Sequence, residues 1–65
     1  MLGENIKQLR KEKNISQKEL ASLINVSQRL ISNYEDGSAT PTVENLIKIA
    51  DTFKVSLDFL TDRYK

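Results

Sequence analysis

A compact all-α domain of five short helices is the fold class predicted by three features of the 65 residues. Apolar residues recur three and four positions apart along most of the chain, and no segment alternates in the manner of a half-buried strand. Serines and threonines stand where that spacing breaks, supplying oxygens for the free amides that open each new helix. The chain also holds neither cysteine nor histidine. Disulfides and Cys-based zinc sites are therefore excluded, and helix packing has to supply the whole core.

Residues 3–13 are expected to form the first helix, with Ile6 and Leu9 inward and Leu2 beneath them. Lys7, Lys11 and Lys13 point outward, and Arg10 lies beside the apolar stripe. Asn14 ends this helix and Ile15 drops toward the core. Ser16 caps the second helix, 17–24, and Glu19 three positions later completes an S-x-x-E capping box. Leu20, Leu23 and Ile24 form its apolar face, and Ala21 on the buried side lets the next helix approach.

The pattern breaks at Asn25, a residue that tolerates a left-handed backbone. After Val26, Ser27 caps a third helix, 28–35, whose stripe is Leu30, Ile31 and Tyr34. Asp36-Gly37-Ser38 is a turn in which Gly37 is free to take positive φ. The loop 39–42 places Pro41 at a first-turn or pre-cap position, with Thr40 or Thr42 as the cap. The fourth helix runs from Thr42 to Phe53, with Val43, Leu46, Ile47, Ala50 and Phe53 as its inner face. Val55 turns inward, Ser56 opens a short fifth helix carrying Leu57, Phe59 and Leu60, and the tail 61–65 is expected to fray. Phe53, Phe59, Tyr34 and Tyr64 add aromatic bulk. Helices below about 12–15 residues are marginal alone, so all five must share one core in a single domain, 1–65.

Net charge is only +1, but it is unevenly distributed. Residues 1–33 hold six basic side chains against three acidic ones, whereas residues 34–65 hold four against six. That asymmetry orients the first half toward a polyanion. No apolar run approaches the length of a membrane helix and no signal-peptide pattern opens the chain, so a cytoplasmic protein is expected. Catalysis is not expected either: carboxylates alone would have to act, most lie on predicted exposed faces, and Gly3 and Gly37 form no phosphate loop. No cofactor is expected.

Gln17, Ala21, Asn25, Val26, Ile31 and Tyr34 stand at the spacing of the helix-turn-helix in the phage-repressor/Cro-type (XRE) DNA-binding family, which the chain resembles. The likeness extends to LRKEKNISQKELA before the motif and PTVENLIKIADTFKVSLDFL after it. Asn25 is a departure, since the family usually has glycine there. The resemblance implies a lambda-repressor-like fold in which helices 2 and 3 are the helix-turn-helix. It also implies a sequence-specific transcriptional regulator, a repressor, that lays the helix around 28–35 into the major groove of an operator.

Gln28 and Arg29 occupy the first turn of that helix, the part that reaches deepest in this docking geometry. Gln can pair bidentately with adenine and Arg with guanine. Ser32 and Asn33 form a second row of base contacts, and no carboxylate interrupts the face before Glu35. Phosphate contacts are expected from Gln17, on the resemblance, and from Ser27, Lys18 and Arg10. The resemblance also implies an Arg10–Glu35 pair. In the loop before the fourth helix, Ser38, Thr40 and Thr42 can meet a phosphate without adding charge, and Asp36 serves as a turn former.

One such module covers only about 600–1,000 Å² of protein on DNA, so a homodimer on palindromic half-sites is expected. Leu57, Phe59 and Leu60 are its expected interface. The alternative reading is an antitoxin-like protein that binds a toxin and autoregulates its operon. A further rival, a protein-interaction domain without DNA binding, would carry a carboxylate on the 28–33 face, and none is there.

Overall fold

Backbone hydrogen bonding organises the chain into α1 (Leu2–Glu12), α2 (Gln17–Ile24), α3 (Gln28–Asp36), α4 (Val43–Phe53) and α5 (Leu57–Thr61). The computed structural model describes residues 2–61, and no strand occurs among them. The expected contributions of Tyr64 and of tail residues 62–65 lie outside the described residues.

The starts of α2, α3, α4 and α5 each have an oxygen acceptor. Ser16 Oγ accepts from the Glu19 N–H at 3.0 Å while Glu19 Oε1 accepts from the Ser16 N–H at 3.0 Å, a complete capping box. Ser27, Thr42 and Ser56 accept likewise from the amides of Leu30, Asn45 and Phe59. Pro41 precedes the Thr42 cap and is buried.

Three helix ends repeat one device. Asn14, Asn25 and Lys54 take left-handed φ of 60°, 62° and 57°. The N–H of the following residue reaches back five positions: Ile15 to the Arg10 carbonyl, Val26 to Ala21 and Val55 to Ala50. These are Schellman corners, in which the apolar residue after the left-handed one packs onto the helix it has just left. Ile15, Val26 and Val55 all pack against the core, and a serine then opens the next helix.

The core is Ile6, Leu9, Leu20, Ala21, Ile24, Ile31, Tyr34, Ile49, Ala50, Phe53 and Leu60. Ala21 is buried, and α2 packs closely on α3. The helix-turn-helix pair rests on α1, which packs on α3, and on α4, which packs on α2. Near the start of α1, a Cβ at Gly3 would lie 2.6 Å from the Tyr34 carbonyl oxygen and 2.5 Å from that of Glu35. Only glycine lets α1 sit this close to the end of α3.

Four expectations about burial are corrected. Leu23 is 62% exposed, so the inner face of α2 is Leu20, Ala21 and Ile24. Val43 and Ile47 are exposed, and Ile49, absent from the expected stripe, is fully buried. At 100° per residue, the inner face of α4 is rotated by roughly 45° from the expected one. Apolar residues at 43, 46, 47, 49 and 50 satisfy helical spacing on either choice, and packing against α2, α5 and α1 decides between them. Leu60, expected at an interface, is fully buried in the core. A five-residue helix needs one anchor in the bundle, and Leu60 is that anchor; Leu57 and Phe59 remain exposed.

Candidate nucleic-acid interface

The Ser27 cap sets the first turn of α3, where Gln28 and Arg29 are exposed. Ser32 and Asn33 lie one turn further on and are half-buried. Among the described residues, no side-chain hydrogen bond or ion pair engages any of these four. The opposite side of the helix is fastened down by buried Ile31 and Tyr34. Tyr34 Oη also accepts from Asn45 Nδ2 at 2.9 Å, tying α3 to the first turn of α4. A stiff helix therefore presents an amide, a guanidinium, a hydroxyl and a second amide outward, all with hydrogen-bonding capacity unused by the protein.

Negative charge is withdrawn from this face. The Glu35 side chain is only 5% exposed and Arg10 only 13%. Arg10 Nε donates to Glu35 Oε2 at 2.7 Å and Nη2 to Oε1 at 3.2 Å, a bidentate pair. Arg10 Nη1 donates to the Ile15 carbonyl at 3.1 Å, and Gln17 Nε2 donates to Glu35 Oε1 at 3.1 Å. One carboxylate thus joins α1, the α1–α2 corner, α2 and α3. Asp36, just beyond, is exposed, but its Oδ1 accepts from Ser38 Oγ at 2.5 Å and from the Ser38 N–H at 2.8 Å. Those two bonds, the side-chain one first, hold the Asp36 carboxyl below its ordinary value of 3.8.

The expected phosphate contacts are placed unequally. Lys18 is exposed at the start of α2, and half-buried Gln17 stands beside it with its amide turned toward Glu35. Ser27 is exposed, with its hydroxyl accepting the Leu30 amide. Arg10 is drawn into the protein by Glu35 and Ile15, so its first role is structural. Thr40 and Thr42 are exposed in the loop leading to α4, and Ser38 is held by Asp36. The sequence reading missed the Tyr34–Asn45 bond, the Gly3 approach and a bond from Asn5 Nδ2 to the Leu60 carbonyl at 2.9 Å. An asparagine at a half-buried helix position was the available signal for each amide, but it names no partner.

No helix among the described residues is long and apolar enough to cross a membrane. The helix-turn-helix family model matches residues 6–60. The chain is 39% identical over 63 residues to the transcriptional repressor RstR of a cryptic CTXphi phage in Vibrio cholerae, covering 97% of this chain and 56% of that protein. It spans about half the length of the curated relatives it matches. Among solved structures, it resembles the P22 c2 repressor in complex with a synthetic operator, with a TM-score of 0.88, 33% identity, and 92% and 91% of the two chains covered. It also resembles SinR, a master regulator of biofilm formation, in complex with DNA, with a TM-score of 0.87, 38% identity, and 95% and 100% covered. With a matching family model over most of its length, these relatives and this five-helix architecture, the chain belongs to the XRE-type helix-turn-helix family of phage-repressor-like proteins.

Proposed function

We propose that this chain binds a specific double-stranded operator by laying α3 in the major groove, and that it acts in the cytoplasm as a transcriptional repressor by covering a promoter. The observation that carries this reading is the outward face of α3: Gln28, Arg29, Ser32 and Asn33 have no partner within the described protein, while Glu35 is turned inward and neutralised. Gln28 and Arg29 reach base edges, and Ser32 and Asn33 form the second row. Gln17, Lys18 and Ser27 hold the DNA backbone near the amino ends of α2 and α3, where free backbone amides favour phosphate. The operator complex of the P22 c2 repressor and the DNA complex of SinR support the docking mode.

The protein binds as a homodimer on paired half-sites, with exposed Leu57 and Phe59 meeting a second copy. Leu60 contributes from inside, by fixing α5.

Selection of bound sequences from a random duplex pool tests the reading, returning a half-site, its symmetry and its spacing together. Against the recovered duplex, Gln28→Ala and Arg29→Ala each weaken binding by about 1–3 kcal/mol and relax the preference at one or two base positions. Wild-type selectivity in both variants would remove α3 as the reader. Co-purification of a small stoichiometric partner would instead favour the antitoxin-like role.

A further inference from the structure

We propose that Asn5 is a positioning residue that fixes the operator's half-site spacing, by holding α5 at a set angle to the unit formed by α1 and α3. The inference rests on the dimeric operator reading above and concerns a residue outside both the reading face and the dimer face.

The reading helix is pinned to α1 at two separated points. Gly3 rests on the Tyr34 and Glu35 carbonyls, and Arg10 grips the Glu35 carboxylate. Seven residues apart, the pins lie about 10 Å from each other along α1. Two such pins suppress rocking, so α1 and α3 move as one body. The dimer face has no comparable grip. Helix α5 is five residues long and cannot hold its own orientation. Its side chains Leu57 and Phe59 are exposed, leaving Leu60 as its buried anchor. The Val55 corner fixes where α5 begins and Leu60 seats its inner side, which leaves the direction of its last turn to be set by a further contact.

Asn5 supplies that contact. Its Nδ2 donates to the Leu60 carbonyl at 2.9 Å, in the last turn of α5 as described. Asn5 sits two positions from Gly3, so the same turn of α1 that meets the end of α3 also meets the end of α5. In a symmetric dimer, the angle between α5 and α3 sets where the two reading helices stand relative to each other. DNA is sensitive to that angle. Each added base pair turns one half-site by about 35° and moves it by about 3.4 Å. A small rotation of α5 therefore corresponds to a different preferred spacing or to a loss of preference.

The test uses the 65-residue chain and duplexes carrying two copies of the half-site recovered by the random-pool selection, with the centre-to-centre distance varied one base pair at a time. Wild type binds one spacing best and loses roughly tenfold in affinity at one base pair either side. Asn5→Asp keeps the side-chain shape but cannot donate to the Leu60 carbonyl, and Asn5→Ala removes the amide altogether. Both variants, folded by circular dichroism, reduce that penalty to about threefold or less, or shift the optimum, while discrimination among bases within a half-site stays as in wild type. An unchanged spacing profile in both variants overturns the inference, as does an equal loss of affinity at every spacing. If wild type itself tolerates all spacings, the dimeric reading falls and this inference falls with it, while base reading by α3 is judged separately by the half-site data.

Discussion

Glu35 shows how a carboxylate can sit in the helix proposed to read DNA. In the last turn of α3 it faces the negative end of the helix dipole, and it is nearly removed from water. Arg10 compensates from two nitrogens and Gln17 from a third donor. Removing one partner of such a pair leaves the other charge stranded, so Arg10→Met is expected to lower stability by about 3 kcal/mol in urea denaturation. Adding Glu35→Leu should restore most of it, because the cost lies in the unpaired charge. A double variant no better than the single would show that the guanidinium's packing, not its charge, holds the corner. Asp36 behaves differently because it is fully exposed. Its two bonds from Ser38 lower its folded pKa, so the stability it contributes is present above its ordinary value of 3.8 and is lost as pH falls through the lower folded value. In Ser38→Ala the Asp36 carboxyl should titrate closer to 3.8 in a carboxyl NMR titration, and that part of the acid-side loss should disappear. An unmoved titration would mean that the turn backbone alone sets the value.

The helices owe their limits to short-range chemistry and their rotation to long-range packing. A serine or threonine oxygen that caps an amide three residues on acts locally, as does a left-handed asparagine that ends a helix. Boundaries at Ser16, Asn25, Ser27 and Gly37 were therefore legible from the residues themselves, while the fourth helix's cap was narrowed to Thr40 or Thr42, of which Thr42 is the one used. Lys54 was not, because lysine carries no mark of a left-handed conformation, yet it repeats the corner formed at Asn14 and Asn25. Rotation is harder. The apolar residues of α4 spread over an arc of roughly 160°, and periodicity alone admits both the expected face and the observed one. The observed face makes a sharp distinction between neighbours. Ile49→Ala should cost about 2–5 kcal/mol as a core truncation, whereas Ile47→Ser, on an exposed position, should stay within about 0.5 kcal/mol. Equal losses in thermal melts would return Ile47 to the core. The exposure of Gln28 and Arg29 was legible for the same local reason as the caps: the first turn of α3 is fixed by Ser27, and its apolar stripe is short and unambiguous. Gly3, Asn5 and Asn45 were not, since each acts on a residue far along the chain.

At the scale of the whole molecule, charge and size pull in different directions. The basic first half carries the helix-turn-helix and favours a polyanion, but a net charge of +1 and one small module give little non-specific attraction. On the proposed dimeric reading, affinity comes from engaging two half-sites at once, where the second contact is intramolecular once the first is made. That places the demand on α5, whose Leu57 and Phe59 are exposed while Leu60 anchors it. In an isologous interface a residue near the two-fold axis meets its own copy, so a charge there meets a like charge. Phe59→Glu should therefore sediment as a monomer and lose roughly tenfold to a hundredfold in affinity for a paired operator, with binding to a single half-site unchanged. Phe59→Lys should do the same. Mixed in equal amounts, the two should recover paired-site binding, because opposite charges then face each other across the axis. Recovery in the mixture separates a dimer contact from mere damage to α5, which no mixing would repair. Phe59→Glu binding paired half-sites as tightly as wild type would exclude α5 as the contact and require the two copies to meet elsewhere or to bind independently.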